Sequence, residues 1–349
     1  MMDEAGIMGA APGAEHWPAH GWESVAPEAA GWSRDGLDRA WRYADTISTA
    51  TLMIVQGGRV VASRGDLAHR YQCHSVRKSF LSALIGIHEE EGRIDLSRTL
   101  ADLGIDDKDG LSEREKAATI YDLLTARSGI FHPAGYESPW MKSIKPPRHS
   151  QPPGAFWLYN NWDFNALGTI FTALTGAGIH DDFLARIGRP LGMEDFRLDD
   201  ERRDGWLQPD DCSFHPAYPF RMSTRDLARF GLMFLQQGRW QNEQVVPANW
   251  VATSVLPLSD AGPRGGYGYM WWTERSGAGF PGVVLPAGSY SAQGVGGQYC
   301  LVIPSLDLVI VHRVDTDIKG MEVNRFAFGR LLRLILEARK SFSGEHGFA

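Results

Sequence analysis

The sequence of 349 residues has few cysteines, no excess of basic residues and no long apolar run. Its three cysteines, Cys73, Cys212 and Cys300, are an odd number at wide spacings, which excludes a disulfide framework or a paired-cysteine zinc site and predicts buried thiols. The formal net charge is -7, with 35 Lys and Arg against 42 Asp and Glu, so a nucleic-acid partner is not expected. This charge also disfavours anionic substrates mildly. No segment reaches the length of a transmembrane helix, and no membrane partner is expected.

The amino terminus also lacks the basic flank and the apolar run of a secretory signal. This absence predicts a cytoplasmic protein. The composition of residues 1–20 is that of a disordered segment and predicts a flexible tail. The remaining composition, 43% hydrophobic and 22% charged, is typical of a globular chain with a full core.

Strand patterns stand at both ends of the chain, and helical patterns fill the middle. The segments "TLMIVQ" and "RVVASRG" flank a Gly57-Gly58 turn and predict a hairpin. Strand patterns return near the carboxyl end in "QYCLVIP" and "LDLVIVHRV". We therefore predict an α/β (α+β) fold in which residues 21–95 and 255–349 build one antiparallel sheet flanked by helices. A mainly helical region, residues 96–254, is inserted between them, and the active site is expected between the two regions.

The segment "HSVRKSFLSALIGI" places Ser75 and Lys78 three residues apart at the start of an apolar helix. Positions i and i+3 share one helix face, so the hydroxyl and the amine can form a hydrogen bond. A buried lysine with a lowered pKa can activate a serine nucleophile, and a helix amino terminus can stabilise an oxyanion. The same spacing also arises by chance, with Ser75 as a helix cap and Lys78 in solvent. The helix is apolar nearly all round, which favours burial and the catalytic interpretation.

Two further segments carry candidate chemistry. In "WLYNNWDFNALG", Tyr159 could relay protons and Asn161 could donate to a substrate carbonyl, although a helix cap and a packed ring are the ordinary explanation. In "SAQGVGGQY", residues 291 to 299, a glycine-rich strand would let a backbone or a ligand approach closely. A β-bulge is the alternative there.

Taken in order, the SxxK of Ser75 to Lys78, the YxN of Tyr159 to Asn161 and a KTG-like strand resemble the serine β-lactamase and penicillin-recognising superfamily. The similarity is greatest to its class C-like branch of carboxylesterases and 6-aminohexanoate-dimer hydrolase. The resemblance implies a β-lactamase-like fold. It also implies that Ser75 is the nucleophile, Lys78 its base and Tyr159 a general acid or base.

The same resemblance implies residues for substrate binding. The backbone N–H groups of Ser75 and Val295 would form the oxyanion hole, and Asn161 would orient the acyl-side amide or carbonyl. Gln293 and Gly294, in the strand of the third motif, would line the same site. These residues are therefore candidate substrate contacts.

The third motif departs from the pattern of the family. Aligned on Gly294, it has Ala292 where the β-lactam-processing families have Lys or His, and Gln293 where they have Thr or Ser. We therefore expect no cation or hydroxyl at these positions to hold a β-lactam carboxylate.

A long Pro-rich loop, residues 131–154, lies between the first two motifs, and loops of this length are often functional lids. Tyr136 and Trp140 are its best candidates for substrate contact.

We predict a cytoplasmic serine hydrolase of carboxylesterase or amidase type that cleaves a small-molecule ester or short amide through an acyl-Ser75 intermediate, with no cofactor and no metal. A β-lactamase or D-amino-acid peptidase is one alternative, and a non-catalytic binding or scaffold protein on the same fold is another. The sequence indicates no oligomeric state.

Overall fold

The computed structural model describes residues 16–340 except 20, 200, 202, 276 and 278. Its strands are β1 Thr51–Gln56, β2 Arg59–Arg64, β3 Tyr71–Gln72, β4 Gln208–Asp210, β5 Ser213–Ala217, β6 Arg221–Met222, β7 Arg239–Trp240, β8 Glu243–Gln244, β9 Ser259–Asp260, β10 Gly266–Tyr267, β11 Trp272–Thr273, β12 Tyr290–Gly294, β13 Gln298–Ile303 and β14 Leu308–Arg313. Its α-helices are α1 Arg34–Ala44, α2 Arg77–Glu90, α3 Glu113–Lys116, α4 Ile120–Leu124, α5 Pro139–Ser143, α6 Asn161–Thr175, α7 Ile179–Phe183, α8 Thr224–Leu235, α9 Ala248–Ser254 and α10 Arg325–Glu337.

One antiparallel sheet of eight strands, in the order β2-β1-β14-β13-β12-β11-β10-β9, organises the molecule. Strand β1 pairs with β14 along its whole length, so the two ends of the chain meet inside the sheet, between its second and third strands. The strands β3 to β8, which come between β2 and β9 in sequence, form three separate two-stranded ribbons. The predicted fold class is confirmed.

Residues of the central strands alternate between two hydrophobic cores, as the two-residue period of a strand requires. In β1, Leu52 and Ile54 enter the core beneath α1 and α10, whereas Met53 and Val55 enter the larger core on the other face. Helix α2 lies in that larger core, and its residues from Arg77 to His88 are all buried. The prediction of a buried central helix is confirmed.

Helix α8 packs directly on the sheet, although its residues fall within the predicted helical insertion. A Cβ at Gly231 would lie 2.7 Å from Cys300 Sγ and 2.7 Å from a methyl group of Val309. Glycine at this position therefore allows α8 to lie close to β13 and β14. The 96–254 segment is therefore not one separate layer, since part of it covers the sheet.

The predicted flexible tail is too long. The ring centres of Trp17 and Trp240 lie 5.1 Å apart, and the Pro18 carbonyl accepts a 2.7 Å hydrogen bond from Arg229. This segment is therefore packed against the rest of the protein. Residues 1–15 and 20 lie outside the described residues.

The prediction of buried thiols holds for two of the three cysteines. Cys73 and Cys300 are buried, but Cys212 is only half-buried. Among the described residues, no helix is both long and apolar enough to cross a membrane.

Candidate active site

Ser75 lies in the 3-10 turn His74–Val76, which leads directly into α2. His74 has a φ of 46°, a left-handed conformation that non-glycine residues adopt at a cost of about 1–3 kcal/mol. Its Nε2 is 2.7 Å from Thr316 Oγ1, and burial lowers the pKa of His74 to about 4. His74 is therefore a neutral, locally bonded side chain that holds the turn, and its ring is not placed as a second base.

The Lys78 amine donates a 2.8 Å hydrogen bond to Ser75 Oγ. Lys78 is 2% exposed, and no carboxylate in the described part of the chain pairs with it. Burial lowers its pKa well below the ordinary value, and the positive charge of Arg77 lowers that pKa further. Arg77 is itself buried, with its guanidinium 4.1 Å from the ring centre of Tyr218. The site therefore favours a neutral amine beside the serine hydroxyl, as a general base requires.

Tyr159 stands just before α6, in a segment fixed by buried polar contacts. Asn160 caps this helix, and its amide donates to the Ile130 carbonyl at 2.6 Å and to Asp163 at 2.8 Å. Burial raises the pKa of Tyr159, while a hydrogen bond with the Ser75 hydroxyl partly offsets this effect. The phenol therefore stays protonated at neutral pH and can donate a proton within the site.

Asn161 is buried, and its side chain faces the loop of Tyr136. Its amide donates a 2.8 Å hydrogen bond to the Tyr136 carbonyl, and Tyr136 has a φ of 65°. The Asn161 carbonyl oxygen is buried and has no hydrogen-bond partner in the described residues. In this arrangement the Asn161 amide N–H group holds the loop and its carbonyl oxygen stays available as an acceptor. The sequence motif had predicted a donor role toward substrate instead.

Gly294 ends β12 against the turn that carries the serine. A Cβ at this position would lie 2.5 Å from the Cys73 carbonyl oxygen and 3.2 Å from the Cβ of His74. The absence of a side chain therefore lets the strand and the nucleophile turn meet. Val295 follows at the surface, 69% exposed, and Gln293 is buried with its amide 2.9 Å from Ser291 Oγ.

These elements surround one cavity of about 400 Å³. Eight of the nine predicted site residues line it, namely Ser75, Tyr136, Tyr159, Trp140, Asn161, Gln293, Gly294 and Val295. Lys78 is not on the wall and reaches the cavity through Ser75.

Two arginines that no sequence motif indicated also lie in the cavity wall. Arg264 ends the 3-10 turn Gly262–Arg264, and Arg325 is the first residue of α10. The Arg264 guanidinium donates a 3.4 Å hydrogen bond to Gln293, next to the strand position where the family motif has its own cation. Ala292 and Gln293 carry no positive charge themselves, and the cation beside them comes from another part of the chain. No local pattern around either arginine could have shown this.

A model of the family described as Beta-lactamase matches residues 37–321, which is most of the chain. The chain belongs to this family. This membership confirms the resemblance that the sequence motifs indicated.

Individual relatives are distant. The unguisins hydrolase ungD' of Aspergillus campestris is 25% identical over 235 residues, which cover 57% of this chain and 42% of the relative, so the chain spans less than half of its length. A candidate 6-aminohexanoate-dimer hydrolase of Bacillus anthracis has a TM-score of 0.65 at 20% identity, covering 93% of this chain and 88% of that one. EstCE1, a hydrolase with promiscuous acyltransferase activity, has a TM-score of 0.61 at 14% identity, covering 91% and 100%. The two structural likenesses establish the fold.

Proposed function

We propose that this protein is a serine hydrolase that cleaves a carboxylic ester or a short amide through an acyl-Ser75 intermediate. The observation that carries the proposal is the 2.8 Å contact between Lys78 Nζ and Ser75 Oγ, with the lysine buried and no carboxylate in the described chain paired with it. A surface lysine would be protonated and could not accept the serine proton. The names of the relatives, which include a 6-aminohexanoate-dimer hydrolase and a hydrolase with promiscuous acyltransferase activity, agree with acyl transfer but do not choose between ester and amide.

In the first half-reaction, the neutral Lys78 amine takes the proton of the Ser75 hydroxyl as Oγ attacks the substrate carbonyl carbon. The resulting oxyanion would be stabilised by the backbone N–H groups of Ser75 and Val295. The protonated lysine then gives its proton to the leaving oxygen or nitrogen, either directly or through Tyr159, which donates its own proton and takes up the one from Lys78, and the carbon–heteroatom bond breaks. An acyl-serine ester remains.

In the second half-reaction, a water molecule gives a proton to the same base and attacks the acyl-serine carbonyl. The bond from that carbonyl to Ser75 Oγ breaks, and Oγ recovers its proton. The products are a carboxylic acid and the free enzyme. No redox cofactor enters this sequence of steps. The cytoplasmic location remains a prediction from the sequence.

A second candidate is hydrolysis of a β-lactam or of a D-amino-acid peptide. Arg264 favours it, because its guanidinium contacts Gln293 where these substrates would need a cation for their carboxylate. A non-catalytic binding protein is the remaining candidate, and the intact pair of Ser75 and Lys78 speaks against it.

The test is intact-mass spectrometry after treatment with a fluorophosphonate probe, together with hydrolysis of p-nitrophenyl butyrate. We expect one adduct on the parent protein, none on Ser75→Ala and slower labelling of Lys78→Ala. Turnover of nitrocefin or of D-alanyl peptides above that of simple esters would favour the second candidate. A folded parent protein with neither adduct nor ester turnover would contradict the hydrolase proposal and support a binding protein.

A further inference from the structure

The loop of residues 131–154 forms one wall of the cavity, and the middle of this loop is held mainly by its own residues. Tyr136, Trp140 and Met141 from this loop line the cavity. In the described structure, α5 contains no buried residue, and its hydrogen bonds stay within residues 138–144. The position of this wall must therefore be set by contacts nearer to the two ends of the loop.

Both ends of the loop reach the same carboxylate, that of Glu115 in α3. Near the second end, Arg148 donates hydrogen bonds of 3.1 Å to Glu115 Oε1 and 2.9 Å to Glu115 Oε2. At the first end, His132 Nε2 lies 3.4 Å from Glu115 Oε1. His149 Nδ1 lies 3.8 Å from the same oxygen. One side chain outside the loop thus joins its first and last parts.

The carboxylate of Glu115 is buried and charged. It is 3% exposed, and although burial by itself would raise its pKa, the hydrogen bonds from Arg148 and Ser112 hold that pKa at about 2. Burial lowers the pKa of His132, so this ring is neutral at neutral pH. The two parallel hydrogen bonds between guanidinium and carboxylate fix both distance and orientation. The pair of Arg148 and Glu115 is therefore more directional than an ordinary surface ion pair.

The loop is also braced across its own ends. The Lys145 amine donates a hydrogen bond to the His132 carbonyl and forms an ion pair with Glu137. The Glu137 side chain is 1% exposed, and it is the sequence neighbour of Tyr136 on the cavity wall. These contacts connect the loop ends to the residues that line the cavity. A displacement at Glu115 is therefore transmitted to the wall.

Glu115 also has an ordinary structural role as a helix cap. Its Oε2 accepts hydrogen bonds from the Ser112 backbone N–H at 2.8 Å and from Ser112 Oγ at 3.0 Å, which forms the capping box of α3. The cap uses Oε2 alone. In the described part of the chain, the contacts of Oε1 are with the loop residues Arg148, His132 and His149. The cap therefore does not account for the way this carboxylate is placed against the loop.

We propose that Glu115 is a positioning residue, which holds both ends of the loop so that Tyr136 and Trp140 stand at the cavity and strengthen substrate binding. This inference rests on the proposed function, since it concerns the binding step at the same site. Glu115 itself does not line the cavity, and the nucleophile is held by a separate packed region. The effect of Glu115 should therefore fall on KM and leave the chemical step unchanged.

The test measures kcat and KM for p-nitrophenyl butyrate in Glu115→Gln and Arg148→Gln. Glutamine at position 115 keeps the shape and the helix cap but loses the charge that pairs with Arg148. We expect each variant to raise KM by about 3-fold to 10-fold and to leave kcat within about 2-fold of the parent value. Hydrogen–deuterium exchange should become faster in residues 132–149 and stay at the parent rate in α2.

Two further variants separate positioning from a general loss of stability. Asp226→Asn is the matched control, because Asp226 is also a buried carboxylate, accepts a 2.8 Å hydrogen bond from the Glu194 backbone N–H and does not line the cavity. It should lower the melting temperature without raising KM. In a Trp140→Ala background, Glu115→Gln should raise KM by a smaller factor than in the parent, because a side chain through which it acts is missing.

The outcomes distinguish the positioning role from the hydrolase itself. If KM stays at the parent value in both glutamine variants, or if only kcat falls, the positioning role is wrong and the proposed function stands. An equal rise of KM in Asp226→Asn, or an equal factor with and without Trp140, would overturn the role as well. If no ester is hydrolysed and no fluorophosphonate adduct forms, the proposed function fails and the positioning role with it. Should Glu115→Gln fail to fold, Arg148→Gln decides the test, because the Arg148 side chain is 35% exposed.

Discussion

The cavity has two sides that are built in different ways. On one side, α2 and β12 bring Ser75, Lys78 and Gly294 together inside a packed core, with Lys78 2% exposed. On the other side, the loop before α6 presents Tyr136 and Trp140, which are 46% and 58% exposed. The packed side fixes the distances that proton transfer needs, whereas the loop side can change residues without disturbing the core. We therefore expect substitutions on the packed side to affect the chemical step, and those on the loop side to affect substrate binding.

The loop side is nonetheless tied to the rest of the protein at a few points. Asn161 holds the Tyr136 carbonyl, and Glu137 forms an ion pair with Lys145. These contacts position the base of the loop and leave the ring of Trp140 at the cavity edge. The difference between the two sides is thus one of burial, and four substitutions test it.

The largest effect is expected for Lys78→Met. Methionine fills a similar volume but cannot accept the serine proton, so kcat/KM should fall by about 10²-fold to 10⁴-fold. Because a buried amine is replaced by an apolar group, the free energy of unfolding should stay the same or rise by about 1 kcal/mol. Ester kinetics and thermal unfolding check both parts. A variant that is inactive because it has unfolded would contradict this account.

Gly294→Ala should have the next largest effect. The new Cβ would lie 2.5 Å from the Cys73 carbonyl oxygen, so the strand or the nucleophile turn must move. We expect kcat to fall roughly 10-fold to 100-fold and the unfolding free energy to fall by about 1–3 kcal/mol. In the control Gly188→Ala, the atom nearest to the new Cβ is the end of the Leu184 side chain, at 3.3 Å, and the Phe183 carbonyl oxygen and Met193 Sδ lie at ordinary contact distances of 3.7 and 3.8 Å. A kcat near the parent value in Gly294→Ala would show that the close approach of β12 to the nucleophile turn does not matter for the reaction.

Arg77→Gln should shift the pH dependence. Removal of this charge lets the pKa of Lys78 rise, because the Arg77 charge is the second cause of its lowering after burial. The base is active only when neutral, so the acidic limb of kcat/KM should move to higher pH, and the rate at neutral pH should fall several-fold. A pH–rate profile measures the shift. Rates that fall equally at all pH values would indicate a packing defect, since Arg77 also stacks on Tyr218.

The smallest effect is expected for Trp140→Ala. The side chain is 58% exposed and lines the cavity, so its loss should raise KM by about 3-fold to 10-fold and leave kcat and the melting temperature nearly unchanged. Phe214→Ala is the control, an aromatic residue that is 63% exposed and does not line the cavity. A fall in kcat with constant KM would place Trp140 in the chemical step and weaken the contrast between the two sides.

Much of the fold could be predicted because its signals are local. A two-glycine turn between β-branched segments predicted the hairpin of β1 and β2, and the strand patterns "QYCLVIP" and "LDLVIVHRV" predicted β13 and β14. The packed tail segment of Trp17 and Pro18 could not be predicted, because its partners Trp240 and Arg229 are more than 200 residues away. The placement of α8 on the sheet also depends on a contact that is not local, that of Gly231 with Cys300, 69 residues further along the chain.

The sequence by itself determined the pairing of Ser75 with Lys78, because three residues along a helix set the distance between their side chains. Its motif order also indicated which segments would supply Tyr159 and Gly294. Only the tertiary structure decided the charge state and the surroundings of these groups. The pKa of Lys78 is lowered because distant segments exclude water from it, and Arg264 reaches the cavity because its turn packs beside β12. Burial and long-range electrostatics depend on the whole packed chain, so no local pattern can specify them.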